Sequence, residues 1–138
     1  MRKDERPEGS SVGRLKRRAD FLRVAAVRRK WAAPGLILQV AVQPQPSSEG
    51  SAEAIPPESI RVGFTASRKV GNAVKRNRAR RRLKALVREM IATGANPGLD
   101  LVLIARPATV DRPFDELRRD LQQSLQRTKA ARKRPDPH

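Results

Sequence analysis

Runs of apolar residues predict three β-strands in this chain. Residues 35–42, GLILQVAV, begin at the glycine of the Pro34-Gly35 pair and have the aliphatic and β-branched composition of a strand. Residues 60–66, IRVGFTA, are the second predicted strand. Residues 99–105, LDLVLIA, form an almost unbroken apolar run, which is typical of a strand that is buried on both faces of a sheet.

Other segments repeat apolar residues at helical spacing. Residues 19–29 predict a short first helix, with Phe21, Val24 and Ala25 on one face and Asp20 placed to cap its start. A last amphipathic helix is marked by Phe114, Leu117, Leu121 and Leu125. Both patterns predict helices that rest one side on a core.

The longest predicted helix opens at Gly71-Asn72 and closes at Gly94, which has the position of a C-cap. At about 100° per residue, one side of this helix is apolar and collects Ala79, Leu83, Leu86 and Met90. The opposite side is a row that we call the basic stripe, made of Asn77, Arg81, Lys84 and Arg88. Arg78 and Arg82 flank the stripe on one edge and Arg80 on the other.

The predicted elements follow in the order α-β-β-α-β-α, and the strand–helix–strand order of residues 60–105 predicts a parallel pair joined by a crossover helix. We therefore expect a small α/β two-layer sandwich of the α+β class, formed by one domain over residues 14–128. Outside its core we expect a disordered arm at 1–13, a flexible loop at 43–59 and a fraying basic tail at 129–138. The loop has four prolines and no aromatic or basic residue.

Positive charge is concentrated in two segments. The chain has 31 Lys and Arg against 14 Asp and Glu, a formal net charge of +17. Residues 14–30 contain eight basic residues and one acid, and residues 61–92 contain eleven and one, so these segments account for the whole excess. Such patches repel themselves unless a polyanion screens them, and nucleic acid is the most common one. An anionic membrane is disfavoured, because no apolar run approaches the ~20 residues of a membrane span.

The sequence offers few groups that could catalyse hydrolysis. Its one histidine, His138, is the last residue, and there is no cysteine nucleophile. A two-metal nuclease needs clustered carboxylates, but the basic segments contain only Asp20 and Glu89, which we assign to a helix cap and to an ion pair with a cation. Because cysteine and an N-terminal signal segment are both absent, we expect a cytoplasmic binding protein.

The basic stripe indicates contact with phosphates. Exposed helices usually interleave Glu with Lys four residues apart, whereas here like charges stack at that spacing. A face made almost entirely of cations suits backbone contact and shape recognition better than base readout. Only Asn77 has an amide suited to a base edge or a 2′-OH, and it could equally cap a turn. An ordinary solvated helix face is the alternative interpretation.

The segment VGFTASRKVGNAVKRNRARRRLK, residues 62–84, strongly resembles the signature of the bacterial ribonuclease P protein subunit. The similarity runs from about Leu15 to Arg127, and includes RRADFLRV, LVLIARP and ELRRDLQQSL. It implies a ribosomal-protein-like fold with an unusual left-handed βαβ crossover. It also implies an accessory protein of an endoribonuclease that removes 5′ leaders from precursor tRNA, with the hydrolysis carried out by RNA.

The resemblance implies two binding regions. The helix after Asn72 would bind the catalytic RNA subunit, and a cleft between the first helix and the sheet would bind the 5′ leader. The residues implied for RNA-subunit binding are Arg68, Lys69, Asn72, Lys75, Arg76, Asn77, Arg78, Arg80, Arg81, Arg82, Lys84 and Arg88. Those implied for leader binding are Arg14, Lys16, Arg17, Arg18, Phe21 and Gln39. Relatives often have more aromatics in the cleft, where this chain has Ala25 and Gln39, so we expect less stacking and more arginine contact.

The implied partners are the ribonuclease P RNA subunit and precursor tRNA, with no membrane and no obligate protein partner. No cofactor, metal or catalytic residue is expected on the protein, whereas the RNA-containing holoenzyme requires Mg²⁺. Two alternatives stay open. A ribosomal protein of similar fold would co-purify with ribosomal RNA instead of one stable RNA, and a stand-alone RNA hydrolase is disfavoured by the missing carboxylates and histidine.

Overall fold

A five-stranded mixed sheet forms the centre of the molecule. The structure is a computed structural model and describes residues 11–44 and 59–132. In chain order the elements are β1 (Val12–Arg14), α1 (Arg18–Val27), β2 (Arg29–Ala32), β3 (Leu36–Val42), β4 (Ile60–Thr65), α2 (Ala73–Gly94), β5 (Leu99–Ala105) and α3 (Phe114–Arg127). Two 3-10 turns lie at Arg68–Val70 and Pro107–Val110.

The strand order is β1-β4-β5-β3-β2, which places β5, the most completely buried strand, in the middle. β4 and β5 are parallel, with Val62 opposite Leu101, and α2 connects them. The predicted parallel pair with a crossover helix is therefore confirmed, as is the α+β class. The hand of that crossover and the kinship with ribosomal proteins stay predictions of the resemblance.

The two faces of the sheet are covered unequally. On one face α2 and α3 pack their apolar sides on alternate residues of β3, β4 and β5, including Leu38, Val62 and Leu101, to form the main core. On the other face only α1 is packed among the described elements, over a smaller cluster of Leu15, Val24, Ala41 and Val102 with Phe21 and Ile104 at its margin. Among the described elements, α1 alone therefore covers this second face, which is where the resemblance implies the leader cleft.

The two ends of the predicted loop are joined at the end of the sheet. Gln43 is nearly buried, and its side-chain Nε2 donates hydrogen bonds to the carbonyl oxygens of Ser59 and Leu99, each at 3.1 Å. The backbone N–H of Gln43 also donates to the carbonyl of Gly98 at 3.0 Å. The other residues of the predicted loop, apart from Pro44, lie outside the described residues.

Two predicted helix caps differ from those observed. α1 begins at Arg18, and Asp20 therefore lies inside its first turn, where it pairs with Arg23 at 3.4 Å instead of capping the helix. Gly94 is the last residue of α2, and the C-cap is Ala95 in an extended conformation. Ala95 adopts it because it pairs with Ala131 in an isolated β-bridge.

The packed domain is longer than predicted at both ends. Val12 and Gly13, expected in the disordered arm, belong to β1, which pairs in parallel with β4. At the other end Ala130 is fully buried, and the N–H of Arg132 donates to the carbonyl of Gly94 at 2.8 Å. The start of the predicted fraying tail is thus held by backbone hydrogen bonds. Residues 1–10 and 133–138 lie outside the described residues.

Candidate RNA-binding surfaces

The sequence of α2 explains how its basic side comes to face outward. Asn72 caps the helix by accepting a hydrogen bond from the N–H of Lys75 at 3.0 Å. The apolar side is buried against the sheet through Ala79, Leu83, Leu86, Val87 and Ile91. Because this side is fixed in the core, the opposite side of the helix has to face solvent.

The basic stripe is observed as predicted on that solvent side. Asn77, Arg81 and Arg88 are exposed, and Lys84 is half-buried. Within the described part of the chain, neither Arg81 nor Arg88 has a hydrogen-bond acceptor or an ion-pair partner for its guanidinium. These two side chains are therefore available for an anionic ligand. Asn77 lies within α2 and accepts a hydrogen bond from the guanidinium of Arg80 at 3.1 Å, which is a local role but not the turn cap that the sequence left open.

Further cations gather at the start of α2. Arg68 and Lys69 are exposed on the 3-10 turn before the helix, where the hydroxyl of Ser67 accepts a hydrogen bond from the N–H of Lys69 at 3.3 Å. Lys75 is exposed in the first turn of α2. Since the N-terminus of a helix carries a partial positive charge, the helix adds to the attraction of these cations for phosphate.

Three other arginines of α2 donate hydrogen bonds to backbone carbonyls of the protein itself. Arg82 donates to the backbone carbonyls of Thr109 at 2.8 Å and Val110 at 3.0 Å, and to that of Arg112 at 2.5 Å. Arg78 donates to the carbonyl of Val110 at 2.9 Å, and the guanidinium of Arg76 donates to that of Gly71 at 2.9 Å. Burial, together with the neighbouring charge of Arg78, lowers the pKa of Arg82 from its ordinary value. Arg82 thus anchors the turn before α3 to α2, so it is less accessible to RNA than the sequence predicted.

The second face of the sheet, where the resemblance implies the leader cleft, contains Phe21 and Gln39. Phe21 of α1 is half-buried and lies directly over Gly63, where a Cβ atom would meet its ring at 2.5 Å. Across the three central strands, Gly63 is opposite Val102, and Val102 is opposite Gln39. Phe21, which lies over Gly63, and Gln39 are therefore on the same face and at the same level of the sheet, with Val102 of β5 between Gly63 and Gln39.

Arg14 does not belong to this cleft. It is opposite Val62 in the register of β1 and β4, and its guanidinium carbon lies 5.6 Å from the centre of the Phe64 ring on the α2 side. The sheet therefore separates Arg14 from Phe21, because successive side chains of a strand point to opposite faces. Of the other predicted leader-binding cations, Lys16 and Arg17 are exposed just before α1 and Arg18 in its first turn.

A buried ionic cluster holds α1 on the sheet and was missed from the sequence. Asp100 is completely buried and accepts two hydrogen bonds from Arg61, at 2.9 Å from Nε and 2.7 Å from Nη2. Arg23 of α1 also donates to Asp100, and Asp20 pairs with Arg23. The available signal was a single acid within the otherwise apolar β5. This cluster sets the position of α1, and with it that of Phe21.

The described residues contain no group of three His, Cys, Asp or Glu side chains that could hold a metal ion. Glu89 is the partner of a cation, as predicted, and that cation is Arg118 of α3 at 2.5 Å. Over the same part of the chain, every helix is too short or too polar to cross a lipid bilayer.

Comparison with known proteins identifies the family. Residues 11–129 match the model of the family Ribonuclease P. The Ribonuclease P protein component of Paramagnetospirillum magneticum is 55% identical over 122 residues, covering 88% of this chain and 86% of that protein. That of Ruegeria pomeroyi is 44% identical, covering 88% and 90%. The structure of the RNase P protein of Staphylococcus aureus superposes with a TM-score of 0.65 at 23% identity, over 86% of this chain and 97% of the other. This chain therefore belongs to the ribonuclease P protein family.

Proposed function

We propose that this chain is the protein subunit of ribonuclease P, and that it assists the endonucleolytic removal of the 5′ leader from precursor tRNA. Membership of the family implies a role in tRNA 5′ processing and an RNA partner within the ribonucleoprotein. The observation that carries the finer proposal is the row of exposed cations on α2, in which Arg81 and Arg88 have no partner within the described part of the chain.

The basic stripe would bind the phosphates of the RNA subunit. Arg81 and Arg88 are seven residues apart, which is about 10 Å along a helix axis at 1.5 Å per residue. This spacing lets one helix face reach successive phosphates of a structured RNA. Arg68, Lys69 and Lys75 would extend the contact at the N-terminus of α2, where the helix dipole adds to their charge. Recognition would thus depend on shape and charge more than on base sequence.

The cleft beside α1 would bind the single-stranded leader. Phe21 offers part of its ring to an unpaired base, and Gln39 offers an amide on the same face of the sheet. Lys16, Arg17 and Arg18 lead into α1 and would attract the leader phosphates. Mature tRNA has no leader, so contacts in this cleft would raise the affinity for precursor over mature tRNA.

In this proposal RNA carries out the hydrolysis, and the Mg²⁺ that the holoenzyme requires would be bound by RNA. The protein would screen phosphate repulsion and stabilise the active RNA conformation, because its cations attract the polyanion without any group that activates water. The expected location is the cytoplasm, where tRNA precursors are processed in bacteria.

The test compares the purified protein, the ribonuclease P RNA and their mixture on precursor tRNA at low Mg²⁺. We expect no cleavage by the protein, slow cleavage by the RNA and faster cleavage by the mixture. Cleavage by rigorously RNA-free protein, abolished by a point change in it, would contradict the proposal. Sequencing the RNA that co-purifies with the protein separates this function from a ribosomal one, since a ribosomal protein would recover ribosomal RNA.

A further inference from the structure

A groove of about 330 Å³ lies between β1, β4 and α2, on the side of the sheet opposite the leader cleft. Its floor is formed by Val62 and Phe64 of β4, and one wall is the edge strand β1. The other wall is α2, through Lys84, Arg88 and Ala92. Its volume is at the lower end of the range of small-ligand sites, ~300–1,000 Å³.

The groove combines an aromatic floor with cations. The guanidinium carbon of Arg14 lies 5.6 Å from the centre of the Phe64 ring, and Nζ of Lys84 lies 6.0 Å from it. Arg88 completes the rim, and none of the described residues that line the groove is acidic. A planar guanidinium that rests on an aromatic ring still has an outer face on which a nucleobase can stack.

We propose that this groove binds one unpaired nucleotide of the RNA subunit. The base would enter above Phe64 and stack on Arg14, and its phosphate would lie against Lys84 and Arg88. Because Lys84 and Arg88 also belong to the basic stripe, an RNA strand that follows the stripe passes the mouth of the groove. The occupant has to be unpaired, since the bases of an A-form duplex are stacked inside the helix. This inference rests on the proposed function of the chain.

The groove can be filled without changing charge. In Ala92→Leu a larger side chain occupies the groove, whereas Thr93→Leu introduces the same side chain at the next residue of α2, which is exposed and does not line the groove. Leucine is a good helix former, so neither change should disturb the helix itself. We expect Ala92→Leu to weaken binding of the ribonuclease P RNA by about tenfold, the effect of losing one stacked base. Since no cation is lost, the dependence of binding on salt should stay that of the wild-type protein.

Arg14→Lys is a second variant, at an exposed position where folding is not at risk. It keeps the charge but removes the planar stacking face, so we expect a weakening of several-fold, again at an unchanged salt dependence. Chemical probing of the RNA bases supplies the direct readout. With wild-type protein and with Thr93→Leu, one unpaired base should become protected, and with Ala92→Leu it should become reactive again.

The proposal and the function on which it rests fail in different ways. If the wild-type protein does not bind the ribonuclease P RNA, the proposed function is wrong. If the wild-type protein binds but both Ala92→Leu and Arg14→Lys bind equally well, the groove is not a nucleotide site. Equal weakening by Ala92→Leu and Thr93→Leu would also overturn the proposal, because it would show an effect of the added leucine on the end of the helix instead of on the groove.

Discussion

The ring of Phe21 lies so close to Gly63 that a methyl group at residue 63 would come within 2.5 Å of its Cζ atom. Gly63→Ala should therefore displace Phe21 and destabilise the protein by about 1–3 kcal/mol, the usual effect of overpacking. Chemical denaturation measures this change. The control is Gly13→Ala on the neighbouring strand, where the nearest atom to the added methyl group is Cγ of Arg61 at 4.0 Å. An equal loss of stability in Gly63→Ala and Gly13→Ala would contradict the close packing of Phe21 on Gly63.

The same packing separates two roles of Phe21. Phe21→Ala removes the ring from both the sheet and the cleft, whereas Phe21→Leu keeps much of the apolar volume but offers no face to a base. Loss of one stacked base should weaken binding of precursor tRNA by roughly tenfold in either variant. Binding of mature tRNA and of the RNA subunit should stay nearly unchanged.

The measurement is of all three affinities at one salt concentration, together with thermal unfolding. Phe21→Leu should unfold close to the wild-type temperature, because Leu fills most of the space over Gly63. If Phe21→Leu binds precursor tRNA as tightly as the wild type, the ring packs α1 onto the sheet and does not recognise the leader.

Neighbouring arginines of α2 should behave differently. Arg81 is exposed and has no partner within the described residues, so Arg81→Ala should weaken RNA binding and reduce the slope of log affinity against log salt by ~0.7–0.9, as for one lost phosphate contact. The free energy of unfolding of Arg81→Ala should hardly differ from that of the wild-type protein. Arg119→Ala, which removes an exposed cation on α3, is the control for a general loss of charge.

Arg82→Ala should mainly destabilise the fold. It removes the donor to three backbone carbonyls, those of Thr109, Val110 and Arg112. Three partly buried acceptors lose a charged partner, so we expect about 2–3 kcal/mol of destabilisation. The salt dependence of RNA binding, measured below the unfolding temperature, should change less than in Arg81→Ala. If the salt dependence changed more in Arg82→Ala than in Arg81→Ala, Arg82 would have to exchange its hydrogen bonds to the carbonyls for a contact with phosphate.

In the buried ionic cluster of Asp100, Arg61, Arg23 and Asp20, a small change of one side chain should strongly reduce the stability of the protein. Asp100→Asn keeps the shape of the side chain but leaves Arg23 and Arg61 without their buried anion. Because these arginines are still 30% and 22% exposed, water compensates in part, and we expect a loss of about 3 kcal/mol, the lower end for a broken buried pair. Asp115→Asn breaks an ion pair whose carboxylate is 80% exposed and should have almost no effect. A similar loss of stability in Asp100→Asn and Asp115→Asn would contradict the inference that the cluster holds α1 on the sheet.

The longer strands and helices could be predicted because the spacing of their apolar residues in the sequence matches the side of each element that is buried. The apolar run of residues 99–105 became the central strand, and Leu117, Leu121 and Leu125 became the buried side of α3. The basic stripe followed from the same argument, since fixing Leu83 and Leu86 in the core determines where Arg81 and Arg88 point. These inferences need only local sequence and a core to pack against.

The features that were missed depend on contacts distant in sequence. β1 and β2 are edge strands of three and four residues, too short to show a period. The resemblance placed Arg14 with Phe21 in the leader cleft, but the pairing of β1 with β4 turns Arg14 to the other face of the sheet. The engagement of Arg82 depends on a turn 27 to 30 residues away. Composition alone cannot distinguish such an arginine from one that faces solvent.

The hydrogen bond from the side chain of Gln43 to the carbonyl of Ser59 joins the residue after β3 to the residue before β4. Because β3 ends at Val42 and β4 begins at Ile60, a foreign peptide exchanged for residues 45–58 would interrupt neither of these strands, as long as Gln43 and Ser59 are kept. An affinity peptide or a fluorophore-binding sequence inserted there would be distant in sequence from both α1 and α2. Such a variant would allow a single assembled particle to be immobilised on a surface and its turnover of substrate to be followed one molecule at a time.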